Sequence, residues 1–515
     1  MYQIMFKIII LISCMFTINT CSKNTPSEAP TLRVAFPLFK SINEYDPSRI
    51  TYIPEYMLLK NIYSTLVELD LKGNLISGIA QKYYWKNDEL HFDIHPNLKT
   101  VDGMAITGED VETSLKRLMI LSTNPHGNLK TLLCPNLILK SLNDPCPGII
   151  ATKDKVILKP QKKFVFLLPM LASVDFSIIP KSSLDMTTLK IIDYRNTSGV
   201  YYLEKDIDSK NLQMNLAVNK NHYHYSAKIP HKIILVPSGR SAPKNAIELF
   251  RENLVDCITT ADIISTDHLI DLASQNTEAQ IHQTLDMEIS FLNFTQKGIK
   301  QITEKNRFIL AKKIRALFHE LTTHYKSYRP VNQYFLSFGE GAISGEQEQE
   351  FIHKLESASD DLSINQNIKG DYLLVTDLRQ KLESKLNEIN KNVKTSSASA
   401  YPDPNTHYND RPDFHIAGVD SGFQEDIGLV SFIINNDRFG LGKEKGKKWL
   451  DEYVQIENKQ ERIEKLRELH YSALIKGFFF PLMSSSFAAI IRKGWSFDFS
   501  KTQVSLPLWK IQKEN

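Results

Sequence analysis

His91, Asp93 and His95 stand at alternate positions, a spacing that could present two imidazoles and a carboxylate to a divalent ion. Leu90, Phe92 and Ile94 interleave with them, however. That is the period-two pattern of a half-buried strand whose polar face meets water. His222 and His224 make a second His-x-His pair inside Asn221-His222-Tyr223-His224, for which a structural reading is expected. Gly440-Leu441-Gly442-Lys443-Glu444-Lys445-Gly446-Lys447 has the glycines and lysines of a phosphate loop, but no Ser or Thr follows a lysine as that loop requires. The chain contains no G-x-S-x-G and no H-E-x-x-H. We expect no catalytic residue, no metal site and no cofactor. A hydrolase reading would require turnover that single substitutions abolish.

Composition narrows the class. With 62 Lys and Arg against 59 Asp and Glu, the net charge is +3. Such a balance over this length, without a basic run interleaved with aromatics, argues against a nucleic-acid binder. The 42% hydrophobic and 23% charged fractions are those of a globular protein large enough for two or three domains.

The N-terminus reads as a targeting segment over residues 1–21. Lys7 supplies its charge, and Ile8 to Ile18 form an apolar stretch too short to span a bilayer as a helix. Ile18-Asn19-Thr20-Cys21 resembles a lipobox, which makes Cys21 the expected lipidated residue and 22–30 a tether. Leu11-Ile12-Ser13-Cys14 matches that motif better in residue type, but cleavage there leaves too short an apolar core. An unlipidated secretory signal is the alternative. Export permits disulfides. Cys134 and Cys146, which enclose eleven residues rich in Pro and Asn, form the candidate bridge, and Cys257 reads as a buried small hydrophobe.

The densest run of structural signals is 75–118. The strand just described leads to Asp102-Gly103, a tight turn. Thr107 follows as an N-cap, with Glu109 and Asp110 in the first helical turn. Val111, Leu115, Leu118 and Met119 then make one apolar helix face. Elsewhere Leu32, Val34 and Phe36 mark a first strand, and Tyr56 to Leu69 is apolar at helical spacing. Ile289 to Phe294, Asp413 to Gly418 and Phe478 to Leu482 read as strands, and Arg462 to Ile475 as an amphipathic helix. Residues 394–410 are turn-rich.

The order of these residues resembles the family 5 extracytoplasmic solute-binding proteins, the dipeptide, oligopeptide and nickel receptors of ABC importers. That family carries "LAES-W", a strand like "YTFHLR", and "V-F-DG-PLTAEDV-S--R". The counterparts here are Ile79-Ala80-Gln81, Trp85, His91 to His95, Asp102-Gly103, Ile106 to Val111, Ser114 and Arg117. Asp46-Pro47 matches the family's "DP" loop, and Ile62 to Asp70 its "IYE-LV-LD" element. Asn196 to Leu203 corresponds to "GTGPY-L", and Phe480-Pro481-Leu482 to the return strand. In peptide receptors of the family, a loop reading "W-ADY-DP" carries an aspartate that pairs with the ligand's ammonium group. It corresponds here to Asp420, Ser421, Gly422, Phe423 and Gln424, with Gly422 at the aspartate's own position and Asp420 two residues earlier.

The resemblance implies an α/β fold of the two-lobed periplasmic-binding-protein type, the large form with an inserted subdomain. Lobe one would span 31–285, with 61–175 inserted, and regain 487–515; lobe two would span 286–486. The implied role is an extracytoplasmic receptor that passes a peptide-like solute to an ABC permease and its ATPases, held at the membrane by a lipid anchor. The alternative is an envelope lipoprotein that uses the fold as a sensor or scaffold. Replacing Cys21 by Ser is expected to move the protein from the membrane fraction to the soluble exported fraction, because acyl chains are what hold such a chain at a bilayer. Unchanged membrane fractionation of Cys21→Ser, read by detergent phase partition, would refute lipidation at Cys21.

Overall fold

The computed structural model describes residues 29–37, 44–50, 53–121, 127–135, 137–162, 164–204, 213–239, 242–259, 264–335, 339–362, 367–373, 384–386, 389, 392–397, 412–420, 427–501 and 506–514. No described helix is long and apolar enough to cross a membrane.

Two long strands organise everything else. Ala279–Phe294 and Phe479–Arg492 run antiparallel against each other, from Ala279 opposite Arg492 to Asn293 opposite Phe479. At one end, Phe479–Arg492 continues through Cys257–Ile258 to Thr31–Pro37, Lys232–Ser238, Met214–Val218 and Tyr201–Leu203. At the other end, Ala279–Phe294 continues through Phe414–Asp420 to Ile368–Leu373 and Val393–Ser397. The short strand Tyr328–Pro330 pairs with the middle of Phe479–Arg492. Each half-sheet has its own apolar core. Leu32, Val34, Phe36, Tyr201 and Ile233 lie in one, and Phe291, Phe414, Ile416, Phe479 and Phe480 in the other. The result is a two-lobed α/β fold whose halves share two strands.

A separate four-stranded sheet, ordered Ala80–Lys86, Glu89–Ile94, Lys155–Leu158, Ile149–Ala151, packs against helix Gly108–Leu121. Its first hairpin turns on Asn87 and Asp88, both with positive φ (51° and 61°), the conformation that a two-residue turn between twisted strands needs. At the helix start, the Thr107 amide and hydroxyl both donate to the Asp110 carboxylate, at 2.8 and 2.9 Å. Cys134 and Cys146 are joined by a disulfide with Cα atoms 4.9 Å apart.

Residues that resemble the family motif turn out to tie this unit to the first lobe. The guanidinium of Arg117, in the second half of the helix, donates to both oxygens of Asp46, one of them at 3.0 Å, and its Nε donates to Leu189 O at 2.7 Å. Burial pushes the Asp46 carboxyl up, but Arg117 and Ser48 outweigh it and hold the group below the ordinary carboxylate value. The Ser114 hydroxyl bridges Ile179 N and O, and Asn196 donates to Asp102 at 2.9 Å.

Two expectations are corrected. The apolar run from Tyr56 to Leu69 is not one helix: the helix covers Ile53–Ile62, and Val67–Leu69 is a strand paired with Leu75–Ser77. Ser198 and Gly199 intervene, since Gly199 N donates to Ile62 O (3.0 Å) and Ser64 N to the Ser198 hydroxyl (3.1 Å). A Cβ on residue 199 would sit 2.3 Å from the Ile62 carbonyl carbon, so the approach requires glycine. The turn-rich segment that starts at 394 also begins inside a strand, because Val393–Ser397 pairs in parallel with Ile368–Leu373. Asp46→Ala strands the Arg117 charge, which is 2% exposed. It should lower unfolding free energy by about 3–5 kcal/mol in urea denaturation; a loss below about 1 kcal/mol would show the pair to be dispensable.

Candidate functional site

The place where the two long strands pass from one half-sheet to the other concentrates acids and serines. Strand Ala279–Phe294 carries Asp286, Glu288 and Ser290 between Met287, Ile289 and Phe291; strand Phe479–Arg492 carries the run Ser484-Ser485-Ser486. Register shifts fall between Gln283 and Asp286, between Asp286 and Glu288, and between Ser290 and Phe291. Bulges of this kind bend a strand and re-aim its side chains. The polar groups therefore lie where the ladder turns.

The serine hydroxyls serve the acids. Ser484 donates to Asp286 at 2.7 Å and Ser485 to Glu288 at 2.6 Å, while Gln283 donates to the Ser486 hydroxyl at 2.7 Å. Arg329, in the short strand beside them, pairs with Asp286. Glu288 has no such cation: among the described residues its hydrogen-bond partner is the Ser485 hydroxyl. Desolvation raises the Glu288 carboxyl above its ordinary value, against the opposing pull of Ser485.

In register, Asp420, Glu288, Ser485 and Tyr328 stand opposite one another across four adjacent strands. The aspartate singled out from the sequence is thus the last residue of its strand, opposite the half-buried Glu288 in register. Ser421, Gly422, Phe423 and Gln424, together with Cys21, lie outside the described residues. Sequence reasoning missed Glu288, Asp286 and the serines. The signal was present as a polar triplet inside FFFPLMSSSFAAII, and as acids alternating with the apolar residues of the partner strand.

A second set of bonds joins the same region to the first lobe. Asp267, in helix Thr266–Gln275, accepts from the Lys326 and Ser327 backbone amides and from the Ser327 hydroxyl. Thr266 donates to Ser486 O at 2.6 Å, and Lys326 pairs with Asp271 at 3.0 Å.

The other candidates are occupied within the fold. His91 stacks on Tyr84 with centroids 5.2 Å apart, and His95 on Tyr223 at 6.0 Å. His222 bonds Ser64 at 3.0 Å and His224 bonds Glu68 at 2.9 Å. Gly442, with φ of 84°, leads into helix Lys443–Tyr453. A cavity of about 230 Å³ lies between helices Glu304–Thr322 and Gly345–Glu356. Its cations are already engaged: Arg315 with Pro481 O and Asn332, and Lys312 with Ala358 O and Asp360.

No family model matches the chain. The periplasmic murein peptide-binding protein MppA of Escherichia coli is 29% identical over 77 residues, and that stretch is 14% of each protein's length. The solved structure of the Escherichia coli murein tripeptide binding protein MppA superposes with a TM-score of 0.71 at 14% identity, covering 95% of this chain and 99% of that one. Haemophilus influenzae OppA in complex with the peptide RPPGFSPFR gives 0.68 at 14% identity, over 94% and 99%. Staphylococcus aureus NikA in complex with Ni(L-His)2 gives 0.64 at 16% identity, over 94% and 100%. The likeness establishes the fold as the two-lobed binding-protein type.

Because the Glu288 carboxyl is raised in the folded state, its effect on stability is most favourable below its unfolded value of about 4.5 and declines as pH rises through the folded value. Glu288→Gln keeps an acceptor for Ser485 and removes the ionisation. It should flatten that decline, leaving the variant more stable than the parent at neutral pH in thermal melts taken across pH 4–8. A variant less stable than the parent at every pH in that range would show the ionised acid to be favourable in place.

Proposed function

We propose that this chain is an extracytoplasmic solute receptor that binds a peptide-like solute between its lobes and hands it to an ABC importer. Lobe one would comprise 31–285 and 487–515, with 61–175 inserted, and lobe two 286–486. The observation that carries the reading is the pair of strands shared by two half-sheets, superposable over 95% of the chain on a binding protein. A fold of this construction opens by rotation of one half against the other and encloses a solute on closing. Binding, with no bond made or broken, is the chemistry it supports.

The acids at the crossing favour a solute with an ammonium group. Arg329 pairs with Asp286, while Glu288 stands opposite Asp420 in register and, among the described residues, has the Ser485 hydroxyl as its hydrogen-bond partner. A carboxylate that pairs with an ammonium out of water makes a strong, oriented contact. Asp420 takes that part here, in place of the aspartate that peptide receptors of the family carry at the position of Gly422. Cys21 would carry the lipid that keeps the receptor beside its permease. The glycine at 422 also favours a second reading, an envelope lipoprotein that uses the fold as a sensor or scaffold without an importer.

Native mass spectrometry of the untreated exported protein is the direct test. Co-purifying peptides are the expected result. An empty protein that shows no thermal shift with a tripeptide mixture would overturn the peptide reading. Against the same tripeptides, Asp420→Asn should weaken binding by at least about 1 kcal/mol, and N-acetylation should cost as much. Equal affinity of parent and variant would remove Asp420 from the site.

A further inference from the structure

The two halves touch at a second place, far in sequence from the crossing strands. Segment Phe164–Leu167 extends from the unit built on the four-stranded sheet and packs on the second lobe's helices Lys443–Tyr453 and Lys459–Ile475. Phe166 stacks on Tyr453 with ring centroids 5.9 Å apart and planes 19° from parallel. The Arg462 guanidinium lies over the other aromatic partner, Phe166, at 5.1 Å. Val165 N donates to Val454 O at 3.4 Å, so backbone as well as side chains spans the junction. Phe166 and Tyr453 are each 1% exposed. Trp449 extends the stack, 4.9 Å from Tyr453 and 13° from parallel. The contact is continuous enough that apolar residues of the two bodies form one cluster, running from Phe92 through Phe166 to Tyr453 and Phe479.

We propose that Phe166, Tyr453 and Arg462 form a clasp that latches the lobes together through protein–protein contact, so that closure does not depend on solute alone. The inference rests on the two-lobe receptor reading for its purpose, and on the contacts above for its existence. Every partner in the clasp belongs to the chain. When the lobes rotate apart about the crossing strands, two large aromatic faces and a guanidinium must be rehydrated, which weights the equilibrium toward the closed arrangement. The clasp also has a stiff root: Gln161 N donates to Leu132 O and Lys159 N to Gly148 O, both at 2.8 Å, next to the Cys134–Cys146 bridge. A solute then adds its own contacts to a closure already favoured, and its entry waits on opening of the clasp.

Spin labels at Lys153→Cys and Lys448→Cys, both exposed and one on each body, report the separation by pulsed electron resonance; Cys257 is buried. The parent protein stripped of solute should give a predominantly short distance. Tyr453→Ala should raise the long-distance fraction by about threefold or more, the population change that an aromatic pair is worth. Phe166→Leu should do likewise, and Tyr453→Phe should retain the parent distribution because the ring remains. A parent that is mainly long in distance, or distributions unmoved by both Tyr453→Ala and Phe166→Leu, would overturn the clasp, as would a Tyr453→Phe variant that opens like Tyr453→Ala. The distances are read without solute, so a protein that binds no peptide but opens on loss of the ring would sink the receptor reading and leave the clasp standing.

Discussion

One constraint governs the molecule: two strands must supply ladder hydrogen bonds to two different half-sheets at once. Ala279–Phe294 and Phe479–Arg492 pair with each other from end to end, yet the outer edge of the first continues into one half-sheet, from Glu288 to Phe294, and that of the second into the other, at Ile490 and Ile491. A flat pair could not do this without forcing both lobes into one plane. The three register shifts relieve it by bending the strands. Polar residues fill that place because an apolar strand would have to expose its side chains wherever the ladder breaks. The acids and serines are thus a consequence of the crossing.

The energetics of the crossing differ from those of the lobes. Around Phe291, Phe414, Phe479 and Phe480 the second lobe is fully buried, and the first is likewise closed around Leu32, Tyr201 and Ile233. At the crossing, by contrast, Asp267 holds Ser327, Thr266 holds Ser486 O, and Arg329 holds Asp286. Hydrogen bonds of this kind are individually worth about 1 kcal/mol because water competes for the same groups. Exchangeable polar contacts at the crossing are what a hinge needs: rotation there can trade one set for water, while the apolar contact at Phe166 and Tyr453 resists it.

How much of this was legible in the sequence depended on how far apart the interacting residues lie. The turn at Gly103 and the helix from Gly108 are local, and their residue types announce them. Asp46 and Arg117 were both visible as motif residues, but their ion pair spans 71 positions and periodicity carries no trace of it. The helix from Ile53 looked longer than it is because its terminator, Ser198-Gly199, arrives from 134 residues downstream. The long strands are legible only at Ile289–Phe294 and Phe478–Leu482, where they are apolar. Their remaining halves, through Asp286 and Ser484 to Ser486, break the alternation at the site of interest. Charges and hydroxyls that serve a crossing look, in one dimension, like the end of a strand.

An inserted unit that clasps the opposite lobe must be stiffer than the hinge it bridges, or its contacts would stretch without resisting rotation. Several features meet that requirement together. Arg117 fixes the unit's helix to the Asp46 loop, Lys116 donates to Leu142 O at 3.1 Å, and the disulfide closes the intervening segment. Ser114 then pins the helix to Ile179, where the chain returns to the first lobe. The motif that resembles the family's most recognisable block therefore lies outside the crossing, yet it serves it mechanically. It makes a rigid lever of the insert, so that an aromatic contact at Phe166 and Tyr453 bears on the angle between lobes that two bent strands allow to vary.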